Sequence, residues 1–187
     1  MKYLIAGLGN IGAEYANTRH NIGFNVLDAL AGASNSFFTP GRLADVAEVK
    51  HRGKKLILIK PTTYMNLSGK AINYWLREEK IPIENLIVVL DDLALPFGAI
   101  RIRPNGSDAG HNGLKNIAEV LGHQNYARLK FGIGNDYPKG QQVDFVLGRW
   151  SRDEDTALQP RIEQAVQAIL SFAGNGLPNT MANFNGK

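Results

Sequence analysis

The chain has 187 residues, of which 44% are hydrophobic and 20% charged, with no cysteine; this is a globular composition, long enough to bury a core, and it excludes disulfides, thiol chemistry and cysteine-ligated zinc. At about 150 residues per domain a single domain is expected, and with no apolar run near the roughly 18 residues of a membrane span and no signal-peptide pattern at the N-terminus, a cytoplasmic location is the default. The formal charge of +4 admits an anionic partner such as nucleic acid without requiring one.

Tyr3, Leu4, Ile5 and Ala6 read as a buried strand that runs directly into GLGNIG, a G-x-G-x-x-G. A dinucleotide fingerprint needs a strand, a tight glycine turn and a helix opening within the motif. Here the polar stretch AEYANTRHN intervenes, and helical spacing begins only with Ile22, Val26, Leu27 and Leu30, after His20. The acidic residue expected about 20 positions on, to hold a ribose hydroxyl, is not convincingly placed: Asp28 is nearest and lies on the polar side of that helix. Gly7 and Gly9 suit a turn that something approaches closely, and they are weak support for NAD. Asn10, Tyr15, Arg19, His20 and Asn21, between the glycines and the helix, look more like functional equipment.

Next, LADVAEVK and KLILIKP read as two strands joined by a tight turn at His51-Arg52-Gly53-Lys54. In TTYMNLSGKAINYWLREEK, Ser68 is a plausible helix cap, and Ala71, Ile72, Trp75 and Leu76 form an apolar face. LIVVL is a strand covered on both faces that stops at Asp91-Asp92, and GAIRIRP alternates like a half-exposed strand. After the glycine-rich loop NGSDAGHNG, Leu114, Ile117, Ala118 and Leu121 mark a helix closed by Gly122. ARLKFGIG reads as another strand, and PRIEQAVQAILSFAGNG as a final long helix ending at Gly174. Alternating strands and helices predict an α/β fold, one twisted, mostly parallel but mixed sheet with helices on both faces. The glycine loop after Ala6 and the carboxylates after Leu90 then share the carboxyl edge of the sheet, where such sheets bind ligands.

Asn10, His20, Asn66, Asp91, Asp92, His111 and Asn112 are the polar residues at these edges. Each has a plainer reading: surface or capping for His20, a strand-end turn for the aspartates, helix capping for Asn66 and Asn112. A metal is disfavoured, because the four histidines show no close ligand spacing. Together, a histidine, a strand-end carboxylate and several asparagines supply a base, its orienting charge and neutral donors for an oxyanion. With no G-x-S-x-G and no cysteine, water activated by histidine is simpler than an acyl-enzyme. Arg101 and Arg103 share one strand face, Arg128 and Lys130 repeat the spacing, and Lys139 lies in a loop beyond; a phosphate-binding surface competes here with an ordinary solvated face.

The chain resembles the bacterial-type peptidyl-tRNA hydrolases. The resemblance is carried by GLGNIGAEYANTRHNIGF at 7–24, KPTTYMNLSGKA at 60–71, VVLDDLALPFGAIRIRPNGSDAGHNGLK at 88–115, then RLKFGIG, VDFVLGRW and the closing GLPNTMANFN, in order over essentially the whole chain, 1–187. It implies hydrolysis of the ester between a peptide and the 3′-terminal ribose of tRNA, with no cofactor and no metal, by a monomer that needs no membrane and whose partner is the tRNA acceptor end with its 5′-phosphate. His20 would be the general base and Asp91 the carboxylate that holds it; spacing alone does not choose Asp91 over Asp92. Asn10 would position the substrate and favour a blocked α-amino group. Tyr15, Tyr64, Met65, Asn66, His111 and Asn112 match positions that contact the tRNA end or peptide or line the site. Arg103, Lys130 and Lys139 occupy the family's basic positions.

Three features depart from the family's pattern: Ile11 replaces a usual proline, NGSDAG is poorer in glycine, and Arg103 with Lys130 inverts a common lysine and arginine order. Two other readings compete, a dinucleotide-binding oxidoreductase resting on GLGNIG and a non-catalytic RNA-binding protein resting on charge.

Overall fold

The two continuous apolar runs become neighbouring parallel strands at the centre of the sheet, β1 (Lys2–Gly7) and β5 (Leu86–Asp92), with Gly7 beside Val89. The computed structural model describes residues 1–187. Between these strands come α1 (Ile22–Ala33), the short edge strand β2 (Thr39–Pro40), the hairpin β3 (Ala44–His51) and β4 (Lys54–Pro61), and α2 (Ser68–Glu78). After β5 follow β6 (Ile100–Arg103), α3 (Asn112–Leu121), β7 (Ala127–Gly132), the short α4 (Gln142–Val146), α5 (Arg152–Asn175) and α6 (Leu177–Phe184). The sheet order is β2-β3-β4-β1-β5-β7-β6. Strands β4, β1, β5 and β7 run parallel, while β3 and β6 pair antiparallel with β4 and β7. The mixed α/β sheet expected from the alternation is therefore present.

Both faces of the sheet are buried, as LIVVL and LILI require. One face packs Ile5, Leu58, Val89 and Phe131 against α1 and α5; the other packs Leu4, Ile59, Val88 and Leu90 against α2 and α3. Burial of each such side chain contributes about 1.5–3 kcal/mol, so the two layers fix the carboxyl ends of β1 and β5 firmly.

The glycines of GLGNIG serve this packing. A Cβ at Gly7 would collide with the Gly23 carbonyl, and one at Gly9 would lie 2.9 Å from the Phe24 ring. What approaches Gly7 and Gly9 is helix α1 itself. That helix starts at Ile22, too late to present its N-terminus to a pyrophosphate in the glycine turn. Asp28 is exposed and pairs with Lys60 at 2.6 Å.

The short β2, α4 and α6 have no counterpart in the sequence reading, and the bounds of α2 and α5 differ from it. Ser68 is not a cap: it is the first residue of α2, fully buried, and its hydroxyl donates to the Met65 carbonyl at 2.7 Å. The last long helix starts at Arg152 rather than Pro160, behind a capping box in which the Ser151 hydroxyl accepts from Glu154 N and the Glu154 carboxylate accepts from Ser151 N. Pro160 is tolerated because it lies on the exposed side, where the carbonyl it leaves free meets solvent. That helix also runs one residue past Gly174 to Asn175, and α6 follows.

Candidate active site

Asp91 is the next-to-last residue of β5 and is 3% exposed. His20 comes from a single 3-10 turn, Arg19–Asn21, that leads into α1, and His111 is the N-cap of α3. Both rings converge on the one carboxylate: His20 Nδ1 lies 2.8 Å from Asp91 Oδ2, and His111 Nε2 lies 2.8 Å from Oδ1.

The protons on these rings follow from their partners. His111 Nδ1 accepts from the backbone N–H groups of Gly113 (3.1 Å) and Leu114 (3.4 Å), so the ring carries its proton on Nε2 and donates it to Asp91. The ionised carboxylate can only accept, so His20 donates from Nδ1 and keeps a lone pair on Nε2. Burial by itself would raise the Asp91 carboxyl, but the electrostatic pull of the His111 and His20 rings and the bonds they donate outweigh it and hold the group well below the usual carboxylate range.

The ligand atoms of His20, Asp91 and His111 lie within 4.8 Å of one another, close enough to suggest a metal cage. The donor chemistry opposes one. Ligation through His111 Nε2 would move the ring proton to Nδ1, where it would face the two N–H donors at the start of α3.

A second polar group adjoins the first. Asn21, the residue after His20, is buried and bonds both backbone groups of Asn10: its Oδ1 accepts from Asn10 N and its Nδ2 donates to Asn10 O, each at 2.8 Å. Asn10 Oδ1 accepts from Met65 N at 2.7 Å, which fixes the amide's orientation and leaves Nδ2 as a free donor. Met65 is buried. Tyr64 before it is half exposed at φ 63, a conformation few bulky residues adopt, and its ring stands edge-on to Tyr15, 6.4 Å between centroids. Asn66 is exposed in the turn that opens α2.

His20, Asp91 and His111 line a cavity of about 200 Å³, together with Asn112, Lys130 and the α4 residues Val143 and Val146. No serine, threonine or cysteine is among its lining residues. Asn10 and Asn21 line a separate polar cavity of about 230 Å³ with Asn25, Asp28 and Lys60.

Beside these lie the cations. Register pairs Arg101 with Lys130 and Arg103 with Arg128 across β6 and β7, so all four share a sheet face as the alternation implies. Arg128 is nevertheless no part of a phosphate-binding surface. It is fully buried, and its guanidinium donates to the carbonyls of Gly106, Gln124 and Tyr126. Lys130 lies 3.9 Å from Asp92; burial lowers its pKa, Asp92 raises it, and the charges of Arg128, Arg101 and Arg103 lower it further. Arg103 and Lys139 are exposed and lie outside the His20 cavity.

Sequence reasoning missed three arrangements: His111 on the second oxygen of Asp91, Asn21 as the clamp on Asn10, and α4 as a wall of the cavity. The available signals were H-N-G opening a helix and the asparagine of T-R-H-N; neither carries a distance.

An imidazole oriented by a buried carboxylate, at the carboxyl edge of an α/β sheet and without a nucleophilic side chain, defines a hydrolase that activates water. Comparison with known proteins narrows the class. The family model described as peptidyl-tRNA hydrolase matches residues 4–187. The chain is 58% identical over 187 residues to the peptidyl-tRNA hydrolase of Phocaeicola vulgatus, covering 100% of both chains, and 54% identical over 185 residues to that of Porphyromonas gingivalis, covering 99% of this chain and 100% of the other. Its fold superimposes on the crystal structure of peptidyl-tRNA hydrolase from Acinetobacter baumannii with a TM-score of 0.92 at 31% identity, over 98% of this chain and 94% of that one. The chain belongs to the peptidyl-tRNA hydrolase family and is an enzyme of that family.

Proposed function

We infer that the protein hydrolyses the ester between a peptide's C-terminus and the 3′-terminal ribose of tRNA, releasing tRNA for reuse, and that His20 is the general base. One observation carries this reading: the 2.8 Å contact of His20 Nδ1 with buried Asp91, which commits the Nε2 lone pair to the substrate side. Nε2 takes a proton from water as the oxygen attacks the ester carbonyl, and the imidazolium returns it to the departing ribose oxygen. Asp91 stabilises the charged ring between these events. Asn112 and Asn66 offer neutral donors to the substrate, and Tyr15, Tyr64 and Met65 shape the surface beside them. The proposed catalytic domain is the whole of 1–187, and the proposed state is a monomer. No helix is long and apolar enough to cross a membrane, and the cytoplasm, where translation occurs, is the proposed location. The test is release of tRNA from N-acetyl-aminoacyl-tRNA with no cofactor added; no release would refute the assignment.

Asn10 supplies the preference for a blocked substrate. With Oδ1 already accepting from Met65 N, it turns its free N–H donors to the substrate, which suit the carbonyl of a blocking group and not a free ammonium. Asn10→Ala is expected to narrow the ratio of kcat/KM on blocked over free aminoacyl-tRNA by about tenfold, the scale of one well-placed hydrogen bond. An unchanged ratio assigns the discrimination elsewhere.

Arg103 and Lys130, with Lys139 nearby, form the proposed grip on the 5′-phosphate. An anion there would relieve the repulsion that Arg101, Arg103 and Arg128 impose on Lys130. Arg103→Ala should lower kcat/KM on full-length substrate by about tenfold at low salt, by less as salt rises, and leave N-acetyl-aminoacyl-adenosine unaffected. Equal losses on both substrates, or no loss in wild type on removal of the tRNA 5′-phosphate, would rule the grip out.

A further inference from the structure

Arg19 precedes His20, yet none of its bonds goes to the catalytic groups. Its Nη1 donates to the carbonyl of Phe145 in α4 at 3.1 Å, and its Nη2 to Glu154 Oε1 at 3.1 Å. The guanidinium lies 4.1 Å from the centre of the Phe145 ring and 5.8 Å from that of Trp150. Its backbone N–H donates to the Gly148 carbonyl at 3.0 Å, and Thr18 bridges to Arg149. The carboxylate it meets is the one that caps α5 through Ser151. The turn bearing His20 is thus tied at once to α4 and to the head of the longest helix.

Helix α4 needs such a tie. It has five residues, buries none of them fully, and leaves Val143 66% exposed. Phe145 rests on Tyr137, 5.0 Å between ring centroids, and Phe145 and Val146 touch the edge of the core. Arg19 is the one charged side chain bonded to it from outside. Gln142, Val143 and Val146 nevertheless wall the cavity that holds His20. Two donors in the joint, Arg19 Nε and Trp150 Nε1, are buried without a partner, which makes the docked state less secure than its ion pair alone implies.

We propose that Arg19 is a positioning residue that, with Glu154, docks α4 against the His20 cavity and so sets how tightly the ester-bearing end of the substrate is held. The proposal rests on the hydrolysis reading above. His20 keeps its own anchor on Asp91, so loss of Arg19 spares the base but lowers the fraction of molecules with α4 docked. Apparent affinity falls by that fraction.

Arg19→Ala should raise KM about five- to tenfold on both N-acetyl-aminoacyl-tRNA and N-acetyl-aminoacyl-adenosine, with kcat within about twofold of wild type. The effect on the small substrate separates this role from the phosphate grip. Arg19→Lys should recover part of the loss, since an ammonium reaches Glu154 but lacks the planar fork over Phe145. Glu154→Gln, which keeps an acceptor for the Ser151 N–H, should raise KM alone and add little in the Arg19→Ala background. Hydrogen exchange at 142–147, which needs no substrate, should speed up in Arg19→Ala. Failure of wild type to release tRNA would sink the hydrolysis reading, and exchange would still report on docking. Unchanged exchange, unchanged KM, or a lower kcat at unchanged KM, as a mere loss of folded protein gives, would overturn the role of Arg19.

Discussion

His20→Ala is expected to lower kcat by about 10²- to 10⁴-fold, the usual worth of a positioned general base, while tRNA binding and folding should stay close to wild type. The size of the loss follows from the division of labour around Asp91. No other residue of the cavity offers an unprotonated nitrogen in the same place: His111 is held with its proton directed at the carboxylate and its other nitrogen occupied by the first amides of α3. His111 therefore cannot stand in for the missing ring. The fold should survive, because Asp91 keeps one N–H donor and the walls of the cavity come from separate elements. Free imidazole added to His20→Ala should restore part of the rate in proportion to its concentration, which a merely structural role would not allow. Turnover within about tenfold of wild type would remove His20 from the role of base, being less than positioned base catalysis supplies.

The elements that frame the site were readable because each carries an uncompromised local signal. LIVVL and YLIA are apolar without interruption, although their strands run on through buried Asp91 to Asp92 and to Gly7, and Gly122 closes α3 in the left-handed conformation, at φ 82. The late start of α1 was visible in the missing period of AEYANTRHN, and it separated GLGNIG from a dinucleotide loop before any contact was known. Helix α5 was harder, since Pro160 is a stronger punctuator in sequence than S-R-D-E, although the capping box is what starts the helix. Helix α4 has no periodic face, because Arg19 and a ring contact hold it rather than a buried stripe.

The same limit applies within the site. Strand alternation puts Arg128 on the face of Lys130, but only the carbonyls folded over it by the 104–111 loop and by the turn between α3 and β7 change it from a surface cation into a buried staple. Likewise, the motif around His111 shows an N-cap, and its position in the chain says nothing of Asp91. Residues whose role depends on one neighbour in sequence are legible; residues that share a third group across distant segments are not.

Asp91→Asn provides the sharpest test of that shared group, with an expected loss of about 10³- to 10⁴-fold in kcat, as for an amide replacing the carboxylate behind a catalytic histidine. Asp91 accepts from two rings through two oxygens, whereas an amide has one oxygen to accept with and a nitrogen that donates. The helix α3 amides fix the His111 proton on Nε2, so the amide oxygen is drawn to His111 and its NH₂ faces His20. His20 must then accept through Nδ1 and carry its proton on Nε2, the nitrogen that should take a proton from water. Removing His111 as well releases the amide to turn its oxygen toward His20, so Asp91→Asn/His111→Ala should be faster than Asp91→Asn alone. Asp92→Asn should stay within about tenfold of wild type, because a longer contact to Lys130 (3.9 Å) and a turn bond to Ala94 N are all it alters. Acid stability follows the same group. Its carboxyl is held below its ordinary value of 3.8, so it favours the folded state above that pH and ceases to do so as the pH falls through the depressed value. Asp91→Asn should therefore lose less stability on acidification below about pH 4 than wild type. If Asp92→Asn proves the more damaging substitution, or if the double variant is no faster than the single one, the carboxylate of Asp91 does not set the tautomer of His20.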